Sequence, residues 1–333
     1  MSRRSEVVAI TGASAGVGRA VAHAFARRGA RLGLIARGRE GLEEAAAECE
    51  GLGGTAIVLP TDVSESDQVE AAADELEKRL GPIDVWVNDA MSTVFSEALD
   101  TRPAEFERAT RVTYLGTVHG TMAALHRMVP RNRGTVVQVG SALAYRAIPL
   151  QSAYCGAKFG IRGFTDSVRT ELLHRRSRCW ITMVQLPAVN TPQFGWCLNR
   201  LPWHPQPVPP IYQPEVPAEA IYHAAHHRRR EYLCGGSTVK AVWGNKLFPG
   251  LLDRYLARSA YEAQQMVDRL RAPSNPANLF SPVPELARTH GIFDQEARTR
   301  SYQAWISRYR APIGVAISVT AAAAALIAAR NRW

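Results

Sequence analysis

The sequence predicts a doubly wound α/β fold around a parallel sheet. Three observations carry this. Short β-type runs alternate with longer amphipathic segments, which calls for parallel strands joined by crossover helices. A glycine-rich turn sits between the first such run and the first helical pattern. The runs are apolar almost throughout, Val136–Val139 for example, as expected when both faces of a sheet are covered.

The elements follow in order. Strand-type runs occupy Val7–Ile10, Leu32–Ala36, Ala56–Leu59, Val85–Val87, Thr135–Val139 and Ile181–Leu186. Helical patterns lie between them, near residues 17–28, 39–50, 65–80, 103–128 and 154–175. Residues 202–217 carry seven prolines, so no regular element is expected there. Helical patterns return at about 217–227 and 238–268. Residues 271–300 read as a polar, proline-containing loop, and there is no internal repeat. The organisation expected is a catalytic domain over residues 1–235, a helical and loop extension over 236–310, and a distinct tail over 311–329.

At 333 residues, 46% hydrophobic and 21% charged, the chain has ordinary globular composition, which excludes wholesale disorder, a collagen and a multi-span membrane protein. The net charge is +10, and its position matters more than its size. Residues 1–190 are nearly balanced at +2, whereas residues 191–333 carry +8. No nucleic-acid-binding module or concentrated basic stripe accompanies the excess, so no nucleic-acid partner is expected. The five cysteines are odd in number and form no CxxC pair, which argues against a disulfide scaffold and a zinc site and fits a reducing compartment. No bound metal is expected. Met1–Glu6 leaves no room for a signal peptide before the first apolar run, so the catalytic domain is expected in the cytoplasm.

Ala311–Ala329 is an uncharged run of 19 residues flanked by Arg308, Arg310, Arg330 and Arg332. As a helix it would reach about 28 Å, close to the bilayer core thickness. Two readings stand: a C-terminal transmembrane anchor in contact with membrane lipid, or an alanine-rich packing helix or tail. The first makes the protein membrane-associated; the second leaves it cytoplasmic.

Thr11–Gly18 reads Thr-Gly-Ala-Ser-Ala-Gly-Val-Gly at the junction of the first strand and first helix. Gly12, Gly16 and Gly18 permit a tight turn and let backbone N–H groups, that of Val17 included, approach a pyrophosphate at a helix N-terminus, and Ser14 in the same loop can add a hydrogen bond to a ribose 2′-phosphate. The spacing resembles the TGxxxGxG motif of the short-chain dehydrogenase/reductase family. Further motifs carry the same likeness. Ser141, then Tyr154 and Lys158, reproduce the family's serine and Tyr-x-x-x-Lys; Thr61-Asp62-Val63 resembles its adenine-contacting stretch. Asn88-Asp89-Ala90-Met91 resembles NNAG, and Pro187-Ala188-Val189-Asn190-Thr191-Pro192 resembles PGxVxT. The likeness runs over residues 7–192 and extends to about residue 235.

The resemblance implies a Rossmann-like fold, a classical-type member with a C-terminal extension, and a homodimer through the fourth and fifth helices. It implies cofactor contacts from Asp62, Asn88, Tyr154, Lys158, Pro187, Val189 and Thr191. It implies an oxidoreductase acting on a CH–OH group. Where the family carries an asparagine in its fourth helix, this chain has Thr113; the family's main chain there holds a water that relays protons to the lysine. Met91 and Ala188 replace glycines and add side chains near the nicotinamide end.

Tyr154 and Lys158 stand four apart on one helix face. A nearby ammonium stabilises a phenolate, so Lys158 is expected to lower the Tyr154 pKa from about 10 and let it exchange a proton with a substrate oxygen. Ser141 is expected to donate a hydrogen bond to that oxygen. At the end of the second strand stands Arg37 rather than a carboxylate. A guanidinium suits a 2′-phosphate, which points to NADP(H).

Residues Gln193–Tyr212, with Phe194, Trp196, Leu198, Leu201, Trp203, Val208, Ile211 and Tyr212, together with Tyr145, Ile148 and Leu150, can line a pocket for a lipophilic alcohol or ketone. The other reading is that these side chains pack on the sheet edge or a second subunit. The non-enzymatic alternative is a cofactor-binding or scaffold protein.

Overall fold

The computed structural model describes residues 5–270 and 276–309. Seven parallel strands form the central sheet: β1 (Val7–Thr11), β2 (Arg31–Ala36), β3 (Thr55–Pro60), β4 (Val85–Asn88), β5 (Thr135–Ser141), β6 (Trp180–Leu186) and β7 (Glu231–Leu233). Their order across the sheet is β7-β6-β5-β4-β1-β2-β3. The order reverses between β1 and β4, and a ligand crevice belongs at that switch point, beyond the carboxyl ends of the strands. Thr11, paired with Asn88, and Ser141, paired with Leu186, mark that edge.

Alternation along β1 splits the core in two. Val8 and Ile10 face helices α1 (Gly16–Ala26) and α2 (Arg39–Gly51). Val7 and Ala9 face α3 (Ser66–Leu80) and the helical stretch of residues 103–128. That stretch comprises α4 (Pro103–Thr110), a π-helical turn (Arg111–Leu115) and α5 (Gly116–Met128). Helix α6 (Ser152–His174) carries the Tyr-x-x-x-Lys motif, and α7 (Glu215–His226) packs against α1.

Several expectations are corrected. The edge strand β7 has only three residues and carries no periodicity by which to find it. The proline-rich stretch holds two short strands, Trp203–Pro205 and Ile211–Tyr212. Trp203–Pro205 pairs with one strand, and an edge position tolerates the missing N–H of a proline; Ile211–Tyr212 pairs with Ala188–Val189 on one side and bridges to Arg298 on the other. The helical pattern over 238–268 divides at Phe248–Pro249 into α8 (Gly236–Leu247) and α9 (Pro249–Ala263), and Gln265–Leu270 is a strand antiparallel to Trp203–Pro205.

The segment after α9 folds back onto the sheet. Asn190 is fully buried and ties it down: its Nδ2 donates to Gln213 Oε1 (3.0 Å) and Asp294 Oδ1 (2.8 Å), and its Oδ1 accepts from the Phe293 N–H. The run Ala311–Ala329 lies outside the described residues. Among the described residues, no helix is long and apolar enough to cross a membrane.

Candidate active site

The loop after β1 turns through Gly12 (φ +74°) and Gly16 (φ +55°), left-handed conformations that favour glycine. Gly18 is required by contact instead: a Cβ there would stand 2.3 Å from the Gly12 carbonyl oxygen. Thr11 Oγ1 accepts from the N–H groups of Asp89 (3.0 Å) and Ala90 (3.1 Å), locking this loop to the end of β4.

A cavity of about 490 Å³ opens above the strand ends. Of the residues expected in the site, Gly12, Ser14, Gly16, Val17, Arg37, Asp62, Ser141, Tyr154, Lys158, Pro187, Val189 and Thr191 line it. Gly18, Asn88 and Thr113 do not. Gly18 supports the loop from behind. The Asn88 side chain faces the core, donating to Thr121 Oγ1 (3.1 Å) and Gln138 Oε1 (2.9 Å) and accepting from the Trp86 indole (2.8 Å). Thr113 is buried. Its hydroxyl accepts from Ser92 N–H (3.0 Å) and donates to the Ser92 carbonyl (2.9 Å), while its own carbonyl accepts from Thr117 Oγ1 (2.9 Å).

Ser141 closes β5, and Tyr154 and Lys158 reach the cavity from the first turns of α6. The Lys158 ammonium donates to the Val139 carbonyl (2.6 Å) and lies 5.5 Å from the centroid of the Tyr154 ring. Burial drives the Tyr154 pKa up; a hydrogen bond with Ser141 opposes this, while the charge of Asp89 adds to it. Burial therefore outweighs the lowering expected from Lys158, whose ammonium Val139 holds beside the Tyr154 ring. Burial likewise lowers Lys158 and raises the half-buried Asp89, each charge partly supporting the other. Asp89 lines the cavity and was not singled out in the sequence, although it stands where the NNAG-like stretch departs from asparagine.

At the far end, Arg37 donates to the carbonyls of Asn278 and Leu279. Burial and the neighbouring Arg108 lower its pKa. Burial pushes Asp62 up, but hydrogen bonds from Arg108 and Ser64 outweigh it and hold the carboxyl below its ordinary value. A strap of the extension closes this end: Gly16 N–H donates to Arg288 O (3.0 Å), Arg19 to Ala287 O (2.6 Å), and Asn278, Pro282 and Val283 form the wall. Nothing in the sequence of this loop signalled that position.

Phe194, Trp196, Val208 and Ile148 also line the cavity, with Leu143 and Leu256. Tyr145 and Leu150 do not: the Tyr145 hydroxyl donates to Glu231 (2.8 and 2.9 Å), and Leu150 is buried. Leu198, Leu201, Trp203, Ile211 and Tyr212 are likewise absent from the lining, Ile211 and Tyr212 being drawn into a pairing with Ala188–Val189. All five cysteines are free and buried, and among the described residues no cluster has the makings of a metal site.

A glycine cradle that any Cβ would fill, opening into the same cavity as a serine, a tyrosine and a lysine, fits a dinucleotide at one end and a reacting carbon–oxygen bond at the other. The fold and site define a nicotinamide-dependent oxidoreductase. Residues 6–195 match the short chain dehydrogenase family. The chain is 32% identical over 277 residues to the uncharacterized oxidoreductase YxnA of Bacillus subtilis, a match spanning 82% of this chain and 76% of that one. It is 35% identical over 167 residues to 17-beta-hydroxysteroid dehydrogenase 13 of Homo sapiens, spanning 50% of this chain and 56% of the relative. Among solved structures, an alcohol dehydrogenase of the archaeon Thermococcus sibiricus complexed with 5-hydroxy-NADP aligns with a TM-score of 0.60 and 27% identity, over 68% of this chain and 95% of that one. The chain belongs to the short-chain dehydrogenase family.

Proposed function

We propose that the protein interconverts a secondary alcohol and a ketone or aldehyde on a lipophilic substrate, with NADP(H) as cofactor. The observation that carries this is the convergence of Ser141, Tyr154 and Lys158 on a cavity that also holds the glycine loop and an apolar wall. The glycine loop would hold the pyrophosphate of the cofactor, which when bound would supply or accept the hydride. Arg37 would hold the 2′-phosphate, exchanging the strap carbonyls for a charged acceptor. The NADP-type ligand of the archaeal relative supports this choice.

In reduction, the Tyr154 phenol donates its proton to the substrate oxygen as the hydride arrives at carbon. Burial keeps that phenol protonated near neutral pH, the state a general acid needs. Ser141 donates a hydrogen bond to the same oxygen and fixes its position. Lys158 orients the site from beneath and carries positive charge through the buried wall. In oxidation the same tyrosine must first ionise, so that direction is favoured by alkaline pH.

Tyr154→Phe removes the proton and keeps the ring. Turnover should fall by at least about 100-fold, within the range of a lost general acid, while NADPH binding by fluorescence stays near wild type. Wild-type turnover would remove Tyr154 from the role. The run Ala311–Ala329 is the proposed anchor, supported by its length and lack of charge. Extraction of membranes with carbonate tests it, and release of the whole protein would overturn it.

A further inference from the structure

Helices α8 and α9 form a hairpin whose apolar residues face outward. Trp243 and Leu247 stand four apart on α8, Leu251 and Tyr255 four apart on α9, and Phe248 caps the turn between them. Leu247 is 64% exposed, Leu251 62% and Phe248 59%. Of the fifteen residues of α9, only Ala260 is buried. A helix normally turns its apolar stripe toward a core, yet here the stripe points away from the protein. Contiguous exposure of this kind marks an interaction site rather than scattered surface residues.

Two further observations identify what covers it. Exposed cations ring the patch: Lys240, Lys246, Arg254 and Arg258. Lys246 lies 4.9 Å from the Trp243 ring centroid. Of the two acids on the hairpin, Asp253 is already paired with Arg146. An apolar tip with a cationic rim is the pattern of a segment that sinks its side chains into the acyl boundary while its cations meet anionic headgroups. The same two helices also wall the cavity, through Ala241, Tyr255, Leu256 and Ala260. Tyr255 belongs to both surfaces.

We propose that the α8–α9 hairpin docks on an anionic bilayer surface, so that the substrate end of the cavity opens at the lipid boundary. This contact is separate from the 311–329 run. The delivery of a lipophilic substrate rests on the proposed function; the docking does not, and its test reads no turnover.

The five native cysteines are buried, so Leu251→Cys in the full chain can be labelled selectively with an environment-sensitive dye. Phosphatidylcholine vesicles containing phosphatidylglycerol should shift its emission to the blue, and phosphatidylcholine alone should shift it less. Adding Leu247→Glu to the labelled protein should weaken the vesicle-dependent shift at least about tenfold in lipid concentration, as expected for loss of one buried leucine. Three results would overturn the proposal. The dye could stay in water while the protein sediments with vesicles, leaving the tail as the only contact. A shift that grows with protein concentration without lipid would mean a second copy covers the face. A blue-shifted dye at every dilution without lipid would mean that the chain's own tail covers it.

Discussion

The Lys158 ammonium donates to the main-chain carbonyl of Val139 at 2.6 Å. This bond fixes the lysine's charge beside the Tyr154 ring, and the half-buried group that answers it electrostatically is Asp89. The site therefore balances one buried cation against one half-buried carboxyl, with the reacting phenol feeling the carboxyl as a repulsive charge.

Asp89→Asn tests that balance. Removing the negative charge makes the phenolate easier to form, so the Tyr154 pKa falls. The pH profile of alcohol oxidation, which needs the phenolate, should move toward lower pH by at least about half a unit, a small electrostatic change for a partly buried pair. Lys158 loses the charge that raises it, so its pKa falls as well. Rates across pH with a saturating alcohol read the shift. An unchanged profile would mean that Asp89 does not sense the reacting proton.

Much of this arrangement was legible in the sequence because covalent spacing fixes it. Tyr154 and Lys158 share a helix face by virtue of standing four apart, and Ser141 follows from the end of an apolar strand. The six longer strands were legible from their apolar runs. Glu231–Leu233 was not, because three residues cannot show a period. Helical residues 103–128 read as one amphipathic stretch, and the π turn within it depends on tertiary contacts such as Thr113 with Ser92. The strap at 278–291 was illegible for a different reason. It binds Arg37, Arg19 and Gly16 through its own carbonyls, and a main-chain carbonyl leaves no trace in residue identity.

Thr113→Val separates a structural role from a chemical one. The hydroxyl satisfies both the N–H and the carbonyl of Ser92 in a fully buried setting. Valine keeps the shape and strands the N–H, at a cost of about 1–3 kcal/mol. For a domain of this size that corresponds to roughly 2–4 °C in Tm per kcal/mol. Calorimetry should show the drop while kcat stays within about twofold, since no atom of the side chain reaches the cavity. A large loss of kcat without loss of Tm would place the side chain in the chemistry.

Arg37→Ala addresses the cofactor. One charge-assisted bond to a phosphate is worth about 1.5–3 kcal/mol, or roughly 10–100-fold in Kd. NADP⁺ binding should weaken by that factor, and NAD⁺ binding should change by no more than about twofold. Titration calorimetry with the two cofactors measures both. Equal losses for both would show that Arg37 holds only the strap.

Gly41 gives access to the strap itself. It lies in the first turn of α2, where replacing glycine by alanine should favour the helix by about 1 kcal/mol. Contact argues the other way, because a Cβ at this position would stand 2.6 Å from Ala287 Cβ and 3.3 Å from Ser14 Cβ. Alanine at 41 must push residues 287–288 outward and weaken the Gly16–Arg288 and Arg19–Ala287 bonds that hold the strap down. Release of bound NADPH, followed by stopped-flow fluorescence, should accelerate severalfold in Gly41→Ala. The partner change Ala287→Gly removes the opposing methyl, so the double variant should return toward the wild-type rate, with a coupling that two independent sites would lack. Additive effects in that cycle would mean that the strap does not control access to the cofactor. Restoration by Ala287→Gly would tie cofactor release to the extension, which is remote in sequence from every motif of the site.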